Sequence, residues 1–221
     1  MQKDPFLPGS IGLVPDGTRR WAHQNQSSYS DAYIRTMLGI TNFISFMFDQ
    51  SIPSLSVYLL SKENLLRKPF DLEPVLTSEV NLLMKMLPPV VAKFKAKVFH
   101  AGRKDLLPPN YAEALSTLCQ YTADNAERRL YLLAVYNPLE ELMGSFKHIG
   151  HQHIKIEDLW VPEALDLVIR TGGEHRLSNF LPLQAGYAEY IFIDKYFNDL
   201  TEQDLLGFLN EFQIRHRRYG R

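Results

Sequence analysis

At 221 residues the chain is long enough to bury a substantial core as one domain, and its formal net charge of -1 excludes nucleic-acid binding through bulk basicity, so any anion site must be a local cluster. With 45% hydrophobic and 22% charged residues the composition is that of an ordinary globular protein, and no apolar run approaches the roughly 18 residues of a membrane span. The single cysteine, Cys119, excludes an intrachain disulfide and suits a cytoplasmic location.

Taken in order, Ile11 to Val14 reads as a short strand stopped by Pro15-Asp16-Gly17, with Arg19 and Arg20 in the loop that follows. Ser30-Asp31 is a candidate cap for a helix in which Ile34, Met37, Leu38, Ile40, Phe43, Ile44 and Met47 recur at helical spacing. Leu55 to Leu60 is a second strand that runs into Ser61-Lys62-Glu63-Asn64 and Arg67. A second amphipathic helix spans Pro74 to Leu87 and is expected to end or kink at Pro88-Pro89. Val98-Phe99 is a short third strand, Ala112 to Tyr121 a helix, and Arg129 to Tyr136 a fourth strand, after which Asn137-Pro138 opens another helix. A histidine-rich link containing His148, His151 and His153 has no cysteine at metal spacing and reads as a solvated loop. Leu165 to Ile169 and Ala188 to Ile193 are the fifth and sixth strands, and the last helix starts on a Thr201/Asp204 capping box. Strands alternating with helices, each connection long enough for a crossover, predict an α/β fold with a mostly parallel sheet of about six strands, the whole chain 1–221 being a single domain.

The sharpest functional signal is the break from the apolar fifth strand into Arg170-Thr171-Gly172-Gly173-Glu174-His175-Arg176-Leu177-Ser178. Two glycines allow the backbone to turn tightly against a ligand, two guanidinium groups can fork onto phosphate oxygens, and Ser178 adds a hydroxyl and a candidate helix start. His175 lies inside this cradle. Three polar clusters, at 16–20, 61–67 and 170–178, follow strand ends and so could share the carboxyl edge of one sheet, where ligands of such folds bind. Four arginines exceed what one monophosphate requires, which points to two diphosphates. Asp16 is the natural carboxylate for a hard cation such as Mg2+. Phe43, Phe46, Met47, Phe48, Leu82, Leu83, Met84 and Met86 read mainly as core, with a few available to line a hydrocarbon tunnel. A general nucleotide-binding module is disfavoured, since Gly12 to Gly17 forms neither a GxGxxG nor a P-loop.

Val14 to Ala22, Tyr58 to Pro69 and Asp166 to Glu189 resemble the motifs of the cis-prenyltransferase family, which includes undecaprenyl diphosphate synthase. The resemblance implies a six-stranded parallel sheet, a homodimer, isoprenoid diphosphate substrates, and Mg2+-dependent joining of isopentenyl diphosphate to an allylic diphosphate, with at most transient membrane contact. Carried over by motif, Asp16 and Glu189 would hold Mg2+, and Gly17 and Arg20 the allylic diphosphate. Arg170, Arg176 and Ser178 would cradle isopentenyl diphosphate, and Ser61, Asn64 and Arg67 belong to the loop that closes over the reacting groups. Arg218-Tyr219-Gly220 matches a tail that reaches the neighbouring subunit. A noncatalytic subunit of this family tends to lose the acid and arginines that are kept here.

The chain departs from the family pattern at Thr18 and Arg19 in the first motif, at Tyr29 and Tyr33, where an arginine and a histidine are usual, at Leu65 in place of tryptophan, and at Asn137-Pro138-Leu139 in place of a glycine-rich stretch. It is also short after residue 140. These changes rewrite the allylic half while leaving 170–178 whole, with Arg19 and Tyr33 as the replacement contacts. Members with an Asp-Gly-x-Arg-Arg-Trp motif include synthases of short, irregular, lavandulyl-type products. The expectation is therefore a short-product or head-to-middle synthase, with regular cis chain elongation as the alternative.

Overall fold

The structure is a computed structural model that describes residues 7–149 and 153–215. Strands β1 (Ser10–Val14), β2 (Ser54–Ser61), β3 (Ala96–Ala101), β4 (Arg128–Tyr136), β5 (Leu167–Arg170) and β6 (Glu189–Phe192) form one six-stranded sheet in the order β3-β4-β2-β1-β5-β6. Every neighbouring pair is parallel. Their sequences are nearly continuous apolar runs because helices cover both faces, and all five residues of β1 and all four of β5 are buried. From β1 the chain moves outward to β2 and then to the edge strand β3, comes back to place β4 between them, and crosses to the other side of β1 as β5. The order therefore reverses between β1 and β5, which opens a crevice at their carboxyl ends.

The helices are α1 (Thr18–Gln24), α2 (Tyr29–Asp49), α3 (Pro69–Asn81), α4 (Leu87–Lys93), α5 (Pro109–Tyr121), α6 (Pro138–Ile149) and α7 (Glu202–Ile214). Arg19 and Arg20 thus stand on a short helix, where the sequence reading expects a loop. Helix α2 is capped by Ser28, whose Oγ accepts from Asp31 N at 3.0 Å, two residues before the expected cap. Helix α3 starts at Pro69, earlier than expected, and Pro88-Pro89 does not end it. A π turn at Leu82–Met86 intervenes, with Leu87 N donating to Leu82 O, so the two prolines fall in the first turn of α4, where no intrahelical donor is needed. The Thr201/Asp204 capping box on α7 forms as expected, Thr201 N donating to Asp204 Oδ2 at 2.7 Å.

The continuous helical stretch Pro69–Lys93 is 25 residues long and apolar enough to cross a membrane by length and composition. Its inner stripe of Val75, Leu82, Leu83, Leu87 and Val91 is spent on the core instead. That core lies on the face covered by α2, α3, α5 and α7, where Ile40, Ile44 and Met47 of α2 are each at most 1% exposed. Burying a side chain of that size stabilises the fold by about 1.5–3 kcal/mol. Phe43, Met47, Phe48, Leu82 and Leu83 belong to this packing. A smaller aromatic cluster of Tyr58, Tyr131, Tyr136 and Phe180 fills the opposite face. His151 and the tail Arg218-Tyr219-Gly220 lie outside the described residues.

Candidate active site

A cavity of about 1120 Å³ opens at the carboxyl ends of β1, β2 and β5, where the three polar clusters converge. Asp16, Gly17, Arg19, Arg20, Tyr33, Ser61, Asn64, Arg67, Arg170, Arg176 and Ser178 all line it. Its charged walls comprise five arginines against three carboxylates, Asp16, Glu63 and Glu174, an excess of two positive charges suited to an anionic ligand.

Asp16 is fixed at the crevice by its neighbours across the switch point. Thr171 Oγ1 accepts from Asp16 N at 2.8 Å and donates to Asp16 O at 2.7 Å, so strand-end backbone and side chain are laced together. Its carboxylate accepts from Arg170 Nη2 at 2.9 Å and from Gly17 N at 2.6 Å, and Arg20 Nη2 lies 3.3 Å away. Gly17 takes φ 104, and an added Cβ would stand 2.5 Å from the Tyr196 ring. That backbone turn starts α1 and aims Arg20 back over Asp16. The α1 helix is held from behind by Trp21 Nε1 donating to Asp199 Oδ1 at 2.7 Å and by the Arg35 guanidinium over the indole ring at 5.1 Å.

The 170–178 loop forms a cradle built on a buried guanidinium. Arg170 is 5% exposed, and besides Asp16 its Nη1 donates to the Arg176 carbonyl and to Ser178 Oγ at 2.9 Å. Gly172 takes φ 82 and a Cβ there would meet Arg20 Nη2 at 2.9 Å, so the loop's glycine is what lets the two halves of the site approach. Ser178 and Asn179 adopt φ 49 and 65, left-handed conformations that turn the chain and replace the helix start expected there. Arg176 extends outward, paired with Glu174 at 2.5 Å, and Glu174 also faces Arg20 at 3.3 Å.

The third wall comes from the turn after β2. Ser61 and Asn64 cap each other: Ser61 N donates to Asn64 Oδ1 at 3.1 Å and Asn64 N to Ser61 Oγ at 3.2 Å. Both side chains are thus engaged in shaping the 3-10 turn Lys62–Leu66 that presents Glu63 and Arg67 to the cavity. Arg67 Nη1 donates to Tyr33 Oη at 3.4 Å, and Arg19 lies 3.8 Å from Asp71. Burial pushes the Tyr33 phenol up despite the opposing pull of Arg67 and Arg19, so it stays a neutral hydroxyl at physiological pH. The Tyr58 phenol, which donates to Ser178 O at 3.3 Å, is raised too, by burial and by the charge of Glu63.

Two sequence-predicted residues do not join the rest. Glu189 opens β6 in register with Leu167, three rungs before Arg170 pairs with Phe192, so within one subunit it lies toward the amino edge while Asp16 stands beyond the carboxyl edge. Its carboxylate accepts from Arg215 Nη1 at 3.0 Å. A metal pair of Asp16 and Glu189 is therefore not assembled inside this chain. His175 stacks on Phe192 at 5.3 Å between centroids and does not line the cavity. Among the described residues no group of three or more His, Cys, Asp or Glu side chains converges as a metal cage. Of the expected metal pair only Asp16 lines the cavity, which fits a cation that takes most of its oxygens from diphosphates and water.

Sequence reading missed Thr171, Glu174, Glu63, Tyr58 and Tyr196. Thr171 and Glu174 sat within the glycine-rich signal, overshadowed by its arginines. Tyr196 carries no local signal, because its role is to meet Gly17 from a distant loop.

The fold and this arginine-lined crevice define an α/β protein whose site chemistry suits phosphate-bearing ligands. Residues 14–220 match the prenyltransferase family described as "Putative undecaprenyl diphosphate synthase". Among similar sequences are the geranylgeranyl-diphosphate-specific tritrans,polycis-undecaprenyl-diphosphate synthases of Pyrobaculum aerophilum, 28% identical over 97% of each chain, and of Sulfurisphaera tokodaii, 30% identical over 100% of this chain and 90% of the relative. Among solved structures, lavandulyl diphosphate synthase from Lavandula x intermedia in complex with dimethylallyl diphosphate superposes with TM-score 0.90 at 24% identity, covering 99% of this chain and 100% of that one. A probable undecaprenyl diphosphate synthase from Campylobacter jejuni superposes with TM-score 0.77 at 21% identity over the full length of both. The chain belongs to this cis-prenyltransferase family and is a prenyl-transferring enzyme.

Proposed function

We propose that the enzyme joins isoprenoid diphosphates into a short product by head-to-middle, lavandulyl-type coupling. A C5 unit, isopentenyl or dimethylallyl diphosphate, sits on Arg170, Arg176 and Ser178, and the allylic diphosphate on Gly17, Arg19 and Arg20. The observation that carries the short-product reading is the closed α2–α3 wall of the cavity. That wall is Tyr29, Tyr33 and Val75, and the residues beyond it, Met37, Ile40, Leu82 and Leu83, are at most 2% exposed and packed into the core. The altered allylic half, with Arg19 and Tyr33 at its edge and Leu65 in the second motif, and the likeness in fold to a lavandulyl synthase support the head-to-middle form.

In the reaction the allylic C–O bond breaks with its electron pair leaving on the diphosphate, the alkene of the C5 unit attacks the electron-poor carbon, and a proton is lost from the coupled cation. Guanidinium groups preorganised by Asp16, Thr171 and Glu174 stabilise the leaving diphosphate as charge develops, and their fixed positions hold the two reactants in line. Mg2+, held by Asp16 and diphosphate oxygens, would neutralise part of that charge. The neutral phenols of Tyr33 and Tyr58 wall the reacting carbons from bulk water.

A homodimer is part of the same proposal. Leu139, Met143 and Phe146 form an exposed stripe on α6, 70%, 58% and 40% exposed, at the spacing of one helix face. Light scattering should find a dimer that Met143→Glu weakens. The half-buried Cys119, whose thiol is pushed up by burial, accords with a cytoplasmic location.

Regular cis elongation is the second reading, favoured by the long-chain synthases among the similar sequences. Incubation with dimethylallyl, geranyl, farnesyl or geranylgeranyl diphosphate, with and without isopentenyl diphosphate and Mg2+, separates the two. A single branched short product from dimethylallyl diphosphate alone supports head-to-middle coupling, and a ladder of long linear cis products refutes it.

A further inference from the structure

The turn after β2 carries Asn64 and Arg67 to the cavity, yet strand pairing does not fix the angle at which it leaves the sheet. The β2–β4 register slips between Tyr58 and Leu60 and again between Leu60 and Ser61, so the ladder is irregular where the turn begins. Two ties across the cavity are long: Arg67 Nη1 donates to Tyr33 Oη, and Asn179 Nδ2 to Glu63 Oε1, each at 3.4 Å. The short tie lies outside the cavity. Lys62 Nζ donates to Oε1 of Glu140, a carboxylate 22% exposed in the first turn of α6. Glu140 is itself anchored, its backbone N–H donating to Asn137 Oδ1 at 3.3 Å and Arg103 Nη1 lying 3.6 Å from the same Oε1. Arg103 follows β3 and is held to β4 by its N–H, which donates to Val135 O at 3.1 Å. None of Lys62, Arg103 and Glu140 lines the cavity.

We propose that Glu140 is a positioning residue for turnover: through Lys62, and braced by Arg103, it holds the Lys62–Leu66 turn where Asn64 and Arg67 meet the reacting groups. The helix N-terminus favours a carboxylate at this place, and partial burial makes its attraction for Lys62 stronger than that of a fully solvated pair. Lys62 is the first residue of the turn, and the mutual caps of Ser61 and Asn64 make the turn stiff. Pinning one ammonium therefore orients the whole turn. Releasing it lets the turn swing on its irregular strand end, and a misplacement of about 1 Å at reacting groups can lower a rate by about 10²-fold. The arginines of the other two walls keep their own supports, so diphosphate affinity is set elsewhere. This inference rests on the reading that the turn meets the reacting groups, and it holds for either mode of coupling.

The test measures kcat and KM, for the diphosphates that the wild type couples, in Glu140→Gln, Lys62→Met, their double variant, Lys62→Arg and Asn64→Ala, all shown folded by circular dichroism. Glu140→Gln and Lys62→Met should each lower kcat about tenfold while KM changes by less than about twofold. The double variant should fall no further than either single one, because both substitutions remove the same tie. Lys62→Arg keeps the charge and should retain most of the rate. Wild-type kcat in Glu140→Gln, alongside a lowered kcat in Asn64→Ala, would overturn the role of Glu140 and leave the site standing. Additive losses in the double variant would do the same, since the two residues would then act separately. Wild-type kcat in Asn64→Ala would overturn the reading of the turn and the inference with it.

Discussion

Glu79 of α3, 1% exposed with its Oε2 accepting from Tyr111 Oη of α5 at 2.7 Å, makes a prediction about stability that is independent of turnover. Complete burial raises its carboxyl from 4.5 to about 7, against the smaller opposing effects of the Tyr111 hydrogen bond and the charge of Arg67. The folded protein therefore holds a proton here that the unfolded chain has released, and the stability this confers is fully present below pH 4.5 and lost as pH rises through 7. A group that ionises near 7 when folded and 4.5 when unfolded costs the native state about 3 kcal/mol at pH well above 7. His100 acts in the opposite sense: burial lowers its imidazole, so its contribution is lost as pH falls below 6.5. The difference between wild type and Glu79→Gln cancels His100 and isolates Glu79. Urea unfolding, followed by the fluorescence of Trp21 and Trp160 and by circular dichroism to check two-state behaviour, should show the amide variant gaining about 3 kcal/mol on the wild type between pH 4 and pH 8.5, at constant m. Parallel stability curves across that range would refute the reasoning, because they would mean that Glu79 ionises alike in both states. Tyr111→Phe, which removes the bond that favours the charged form, should move the wild-type slope to higher pH.

Other perturbations test the site directly. Asp16→Asn should lower kcat by about 10²–10³-fold in a radiolabelled-diphosphate assay. The same change leaves the 5%-exposed Arg170 without its counter-charge and should cost roughly 3 kcal/mol in urea unfolding. Gly172→Ala puts a methyl group 2.9 Å from Arg20 Nη2 at φ 82, and should destabilise by roughly 1–3 kcal/mol while lowering kcat/KM. Arg176→Ala and Arg19→Ala should raise KM for different substrates, the C5 unit held by the cradle and the allylic diphosphate respectively, in two-substrate kinetics. Trp21→Phe removes the 2.7 Å bond to Asp199 behind α1 and should cost about 1 kcal/mol in stability, with its kinetic effect confined to the allylic diphosphate.

The parallel sheet was legible in the sequence because strands covered on both faces are written as uninterrupted apolar runs, and the crevice because polar clusters follow three of those runs. The sequence by itself also pointed to Asp16, Arg20, Arg170 and Arg176, which the structure brings to one cavity, since glycine and arginine act through backbone freedom and fixed charge, which are properties of the residues themselves. Only the tertiary structure decided what depends on which segments meet. Glu189 follows the right motif but opens its strand at the far edge of the sheet, and Ser61 and Asn64 cap each other in the turn they shape. Pro88-Pro89, a helix stop by local rule, is absorbed by the preceding π turn. Glu79, which no sequence motif singles out, is a buried acid because α5 supplies Tyr111 and the core closes around it. Burial and pairing across long sequence separations are properties of the packed chain, so no local pattern could have announced them.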